Sequence, residues 1–183
     1  MTYNFSFNVS DSNNTLLFVD EPDFADRPWQ RETGGELGRP LLYSFDGVFR
    51  SQAEIDSESL DYSGVTPLLK PGDARVADIN GDGKLVTNQG SWNAEDADFA
   101  VLGKGTPDFE LGWSNQLSFG KWEVNAFFRG AFGHSLVNTF RAFYEPRVGS
   151  QKSYNYVNTE LANPDIKNAQ FSSLYVEKAD FFK

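Results

Sequence analysis

Leu111-Gly112-Trp113-Ser114-Asn115-Gln116-Leu117-Ser118-Phe119, Gly120-Lys121 and Trp122-Glu123-Val124-Asn125-Ala126-Phe127-Phe128-Arg129-Gly130 run consecutively, and their reading decides the fold class. In the first arm Leu111, Trp113, Asn115, Leu117 and Phe119 take the odd positions, and small or polar residues fill the even ones. In the second arm Trp122, Val124, Ala126, Phe128 and Gly130 alternate with Glu123, Asn125, Phe127 and Arg129. A period of two is the signature of a strand, because successive side chains leave opposite faces. Gly120-Lys121 between the arms is a two-residue hairpin turn. Each arm runs about nine residues, close to the roughly 9–11 that a tilted strand needs to cross a bilayer. Two architectures share this pattern. A soluble β-sandwich would rest the apolar face on a core. A barrel wall would turn that face to lipid and the polar face to a wet lumen.

Working outward, Tyr3, Phe5, Phe7 and Val9 alternate with Asn4, Ser6, Asn8 and Ser10, a further strand that ends at Asp11-Ser12-Asn13-Asn14. Thr15 to Val19 is expected as the returning strand. From Asp20 to Pro40 periodicity is lost among charges, Pro and Gly, as in a loop. Leu41 to Phe49 is strand-like, and Ser51 caps one helical turn reaching Ile55. Residues 56–108 form a long acidic stretch punctuated by Gly and Pro, with little regular pattern. Compact domains seldom carry connections of that length without a functional use. After Phe132 the chain is expected to be irregular over 133–167, and an apolar strand begins at Phe181.

Composition narrows the classes further. Against 16 Lys and Arg the 183 residues carry 26 Asp and Glu, a formal net charge of -10, together with 17 Phe, 7 Tyr and 4 Trp. That aromatic load is foreign to disordered chains, which lack the apolar groups needed to offset chain entropy. The acidic balance argues against a nucleic-acid partner, since such binding rests on Lys and Arg neutralising phosphates. The absence of Cys excludes disulfides, thiolate zinc sites and cysteine catalysis. A lone His134 removes most hydrolase triads and His-rich metal sites. Apolar runs such as Leu16-Leu17-Phe18-Val19 are far short of the roughly 20 residues of a membrane helix. Met1 to Ser6 shows neither the basic nor the apolar region of a signal peptide. Barrel strands escape these tests, because alternation hides their apolar residues.

The sharpest local motif is Asp78-Ile79-Asn80-Gly81-Asp82-Gly83-Lys84-Leu85. Side-chain oxygens at relative positions 1, 3 and 5, Gly at 6 and an apolar residue at 8 match the first two-thirds of an EF-hand-type calcium loop. Alternate residues of a tight loop converge on one point. The ligands would be Asp78, Asn80, Asp82 and the backbone carbonyl of Lys84. Position 12 is Gln89 where a bidentate carboxylate is needed, so Glu95 or Asp96, with Asp98 just beyond, would supply the missing oxygens if the intervening residues loop out. The other reading is an Asx/Gly turn held by its own hydrogen bonds. No Asp/Glu pair stands at glycosidase spacing, and Gly103-Lys104-Gly105-Thr106 has the spacing of neither a P-loop nor a dinucleotide turn. An enzyme is not expected.

The order of motifs is more specific than any one of them. Gly38 to Phe49 leads through Ser51-Gln52-Ala53-Glu54-Ile55 and Pro71-Gly72-Asp73-Ala74-Arg75 to the 78–85 loop. Val101-Leu102-Gly103, Thr106-Pro107-Asp108-Phe109 and the hairpin follow. Phe128-Arg129-Gly130-Ala131-Phe132-Gly133 and Tyr175-Val176-Glu177-Lys178-Ala179-Asp180-Phe181-Phe182-Lys183 complete the set. Over at least residues 38–183 this succession resembles the C-terminal barrel region of SusC/RagA-type TonB-linked outer-membrane transporters. The resemblance implies an all-β, antiparallel segment of a transmembrane β-barrel with long extracellular loops and little helix. Residues 1–183 would be a fragment of the barrel domain, 20–110 mostly extracellular loop and 111–130 a membrane hairpin. It also implies import of oligosaccharides or peptides, with TonB, a SusD-like surface lipoprotein and outer-membrane lipid as partners. Calcium is the one cofactor expected. The chain departs from the family at Lys84 to Ala94, which reads as an insertion separating Asp82 from Glu95 and Asp96. The competing expectation is a soluble secreted calcium-binding β-module that binds glycans, and a glycan-active enzyme stands behind both.

Overall fold

The structure is a computed structural model that describes residues 1–18, 33–66, 68–85, 98–145, 165–166 and 172–183. In chain order its elements are β1 (Thr2–Ser10), β2 (Leu41–Tyr43), β3 (Phe45–Val48), α1 (Gln52–Asp56), β4 (Ala74–Val76), β5 (Phe99–Val101), β6 (Phe109–Phe119), β7 (Trp122–Phe132), β8 (Ser135–Val137), α2 (Thr139–Tyr144), a 3-10 turn (Ser173–Tyr175), β9 (Val176–Lys178) and β10 (Phe181–Phe182). All strand pairings between these elements are antiparallel. The described residues are all-β with two short helices, and none of their helices is long and apolar enough to cross a membrane.

The expected hairpin forms as β6 and β7, each two residues longer than the alternation required. Phe119 pairs with Trp122 across Gly120-Lys121. Gly120 has φ +59°, which a two-residue turn with glycine at its first central position needs and a side chain would resist. The first strand also forms, but its partner differs from expectation. Thr15 to Phe18 is not the returning strand; it is irregular, and Val19 lies outside the described residues. Leu16 instead exchanges backbone hydrogen bonds with Gly34 and Gly35 at 2.8 and 2.9 Å. β1 pairs along its whole length with β6, from Thr2↔Ser118 to Ser10↔Glu110. The reason is phase: β1 and β6 both alternate with period two and match apolar to apolar, whereas Leu16-Leu17-Phe18 is a continuous apolar run with no polar face to offer. The four-stranded sheet is ordered β1-β6-β7-β10.

The two buried clusters lie outside that sheet. Tyr43, Phe49, Tyr62, Val76 and Leu85 form one buried cluster, with Ile55, Leu60 and Phe99 against it. Tyr43 meets Phe99 edge-on at 4.6 Å, and Phe49 meets Tyr62 at 5.4 Å. The Tyr62 hydroxyl donates to the Val76 carbonyl and accepts the Val76 N–H, both at 3.3 Å. The 56–108 stretch, though weak in periodicity, therefore supplies part of a core, together with β4 and β5. A second cluster joins Ala142, Ile166 and Tyr175 to Val48 and Val137. Residues 133–145, read as irregular, hold β8 and α2. Ser51 caps α1 as expected, its hydroxyl accepting from the Glu54 N–H at 3.3 Å.

Candidate functional site

The register of the sheet assembles one continuous apolar face. Tyr3, Phe5, Phe7 and Val9 stand opposite Leu117, Asn115, Trp113 and Leu111, which stand opposite Val124, Ala126, Phe128 and Gly130. Phe182 extends the face beyond β7 and stacks on Phe128 at 5.8 Å, while Trp113 meets Phe128 from the other side at 5.4 Å. Nothing in the described chain covers these groups: Phe5 is 68% exposed, Trp122 77% and Val124 55%. A contiguous apolar surface of this extent on a regular sheet marks a face that meets lipid or another protein surface. The opposite face carries Asn4, Ser6 and Asn8, then Ser114, Gln116 and Ser118, then Glu123, Asn125 and Arg129, with one exposed ring, Phe127, among them. Gln116 donates to Glu123 Oε1 at 2.8 Å and Asn125 to the same oxygen at 3.5 Å.

Length and end groups agree with this reading. Each of β6 and β7 has 11 residues. At about 3.3 Å per residue and about 45° tilt, such a strand rises about 26 Å, against an apolar band about 25 Å tall in outer-membrane barrels. Phe119 and Trp122 mark the turn end, and Phe109 and Phe132, stacked at 5.1 Å, mark the other. The tight turn lies at one end of the hairpin. The long connections from Ser10 to Phe109 and from Phe132 to Phe181 leave from the other.

The acidic loop closes mainly on itself. Asp78 accepts the Gly81 N–H on one carboxylate oxygen at 2.7 Å and the Gly83 N–H on the other at 2.9 Å. Asn80 Oδ1 accepts the Asp82 N–H, and Asp82 Oδ1 accepts the Lys84 N–H. The Gly83 N–H first, then that of Gly81, holds the Asp78 carboxyl below its usual range. Asp61 and Lys84 form a parallel bridge, with Leu85 N donating to Asp61 O at 2.9 Å. Of the expected ligands, Asp78, Asn80, Asp82 and Lys84 thus fall in one tight loop, while Glu95 and Asp96 lie outside the described residues. Asp98 is the acid that the fold brings to the loop. It is fully buried and accepts the Ile79 N–H at 3.1 Å. Burial and the Asp98 charge push the Tyr43 phenol up. Among the described residues no three His, Cys, Asp or Glu side chains are grouped to hold a metal. The sequence offered Asp98 only as one of several acids, and its selection required the β2–β5 pairing of Tyr43 with Phe99.

A third arrangement went unread in the sequence. α2 buries its charges and shows its rings: Arg141 and Glu145 are buried, while Phe140, Phe143 and Tyr144 are exposed. Arg141 donates to Glu145 Oε1 and to Glu177 Oε1, each at 2.6 Å, and its guanidinium lies over the Tyr175 ring at 5.7 Å. Asn138 caps α2, donates to Glu177 Oε2 at 3.0 Å, and with Arg141 holds the Glu177 carboxyl below the usual range. Leu136, Asn138, Phe140, Glu177 and Lys178 line an open cavity of about 460 Å³ beside this network.

No family model matches the chain. Similarity to individual proteins does appear. TonB-dependent receptor P3 of Formosa agariphila is 25% identical over all of this chain. TonB-dependent receptor P26 of the same organism is 33% identical over 71% of it. The aligned parts are 19% and 13% of those proteins, so the chain spans less than a fifth of the relatives it matches. Over its whole length, the chain is similar to one part of a TonB-dependent receptor.

Proposed function

We propose that this chain is part of the wall and the extracellular loops of a TonB-dependent outer-membrane transporter of the SusC/RagA type, which imports oligosaccharides or peptides. The observation that carries this reading is the uncovered apolar face of β1, β6 and β7. It is backed by a polar face and ends in aromatic rings. A sandwich hairpin would have set Trp113, Leu117, Trp122 and Val124 against a second sheet, and no described element lies there. On this reading Gly120-Lys121 is a periplasmic turn, since such barrels keep their turns short on that side and their loops long on the other. Ser114, Gln116, Ser118, Glu123 and Asn125 face the lumen. TonB supplies the coupling, a SusD-like lipoprotein meets the loops, and outer-membrane lipid bathes the apolar face. Transport needs no covalent step, so the loops have to bind and release only. The test uses the intact protein in vesicles of brominated lipid. Replacing Trp122 by Phe should remove a strongly quenched component of the fluorescence. Loss of an unquenched component instead would overturn the lipid-facing assignment.

For the 78–85 loop we propose calcium as a weakly held ligand of Asp78, Asn80, Asp82 and the Lys84 carbonyl, completed by Glu95 or Asp96. What favours it is that Asp78, Asn80 and Asp82 alternate within one tight loop, each with a side-chain oxygen accepting a backbone N–H of that loop. Calorimetry with calcium on the intact protein tests this. Equal heats before and after Asp82→Ala would end the claim.

A further inference from the structure

Toward the end of β7 that leads into the long connections, the polar face of the sheet carries two cations side by side. β10 runs antiparallel to β7, with Phe181 opposite Ala131 and Phe182 opposite Gly130. Arg129 and Lys183 are the next pair, and each donates its N–H to the other's carbonyl, at 2.7 and 2.9 Å. Alternation puts Lys183 and Phe181 on the face of Arg129 and Phe127, opposite to that of Phe128 and Phe182. The Arg129 guanidinium and the Lys183 ammonium both lie against the Phe181 ring, 5.5 and 5.4 Å from its centroid.

Like charges directly opposite one another weaken a strand pair. Residues that exchange both backbone hydrogen bonds hold their Cα atoms about 5.5 Å apart, and the shared ring keeps these two charged heads close. Both side chains are exposed. Among the described residues no Asp or Glu carboxylate lies within ion-pair distance of either. The acids on the same face are Glu110, diagonal to Arg129 across the β6–β7 pair, and Glu123, further back along β7 and engaged by Gln116 and Asn125. In a chain with 26 Asp and Glu to 16 Lys and Arg, a basic pair with no carboxylate set against it stands apart. Phe128 and Phe182 leave from the other face, so the cations are turned away from the apolar band and from any lipid beside it.

We propose that Arg129 and Lys183 form an anion subsite on the polar face of the sheet, and that its ligand is an oligosaccharide carrying carboxylate or sulfate groups. An anion set between the two cations replaces their repulsion with two attractions. The Arg129 guanidinium offers a planar fork of N–H donors that fits an oxyanion through two of its oxygens, and the Lys183 ammonium adds a point charge beside it. Phe181 and Phe127, the latter 67% exposed, supply flat apolar surface next to those charges. The C–H face of a sugar ring packs on such a surface, which favours an acidic sugar over a bare anion. That this ligand is cargo in a barrel lumen rests on the transporter reading above; the site itself rests on the β7–β10 register alone.

Calorimetry on the intact protein at low ionic strength tests it with two pairs of probes. One pair is tetragalacturonate and its neutral methyl ester, and the other is a sulfated galactose tetrasaccharide and its desulfated form. The charged member of at least one pair should bind about 10-fold tighter than its neutral counterpart, the factor expected of one hydrogen bond to a charged group. A preference in the first pair assigns carboxylate, and one in the second assigns sulfate. The preference should shrink as salt is added and fall to near parity when Arg129→Gln and Lys183→Gln are combined. Equal binding within both pairs, a preference that survives the two substitutions, or tighter binding of an aspartate tetrapeptide than of either acidic sugar would overturn the subsite. Such a failure beside an intact lipid-quenched Trp122 component strikes the subsite and leaves the transporter reading standing.

Discussion

Tyr3 donates its phenolic hydrogen to Asn115 Oδ1 at 2.6 Å, diagonally across the β1–β6 pair. Asn115 is the amide that interrupts an otherwise apolar face, and this bond engages it with a residue 112 positions away in the chain. A one-residue slip of β1 would turn Tyr3 to the polar face and strand the amide, so the bond helps to set the register.

The asymmetry of hydrogen bonds makes this relationship testable. Tyr3→Phe leaves the Asn115 oxygen without its partner on the apolar face and, in the proposed lipid setting, should destabilise by about 1–2 kcal/mol. Asn115→Leu removes the amide itself, so adding Tyr3→Phe to it should cost much less. A double-mutant cycle on unfolding from lipid vesicles measures the difference. Additive effects would show that the bond contributes nothing.

Ala126 and Asn125 are consecutive, near the middle of β7, and face opposite ways. Arginine at Ala126 should cost about 2–4 kcal/mol in a bilayer, while arginine at Asn125 faces water and should cost little. Folding free energies in vesicles give both values. Similar costs at the two sites would contradict the assignment of faces.

At Gly133 two penalties coincide. The backbone is left-handed at φ +81°, and an added methyl would meet the Asp108 carboxylate. Gly81 has φ +76° but open space around it. Gly133→Ala should therefore destabilise by about 2–4 kcal/mol and Gly81→Ala by about 1 kcal/mol in chemical denaturation.

Arg141 is held between Glu145 and Glu177, with its side chain and that of Glu145 each only 8% exposed. Arg141→Met should destabilise by about 3–5 kcal/mol, because it removes the guanidinium that donates to both carboxylates, that of Glu145 being buried. The same network predicts a pH dependence. Asn138 first, then Arg141, lowers the folded pKa of Glu177. Its contribution is therefore present above the unfolded value of about 4.3 and is lost as pH falls through the folded value. Unfolding measured between pH 5 and pH 3 should show this loss, and Glu177→Gln should flatten it.

Local chemistry alone specified several elements. The alternation over 111–130, glycine at the turn, the Ser51 cap and the alternation from Tyr3 to Val9 each depend on residues within one turn or one strand pitch. They were legible without knowing any distant neighbour. The tight 78–85 loop was legible for the same reason, because Asp78, Asn80 and Asp82 bond to backbone within a few residues.

Only the tertiary structure decided who pairs with whom. Period two states that Tyr3 to Val9 is a strand, but not that its partner is Leu111–Leu117 rather than the nearer Thr15–Phe18. That choice rests on matching apolar faces across a long loop. Likewise, Asp98 reaches Ile79, Arg141 turns inward to Glu177, and His134 meets Asp180, through contacts with no local period. Above all, the sequence shows an apolar face without saying what covers it. In the fold the buried clusters belong to the segments that looked least regular, and the most regular sheet keeps its apolar face outward. Side-chain alternation is a property of the strand, and burial is a property of everything around it.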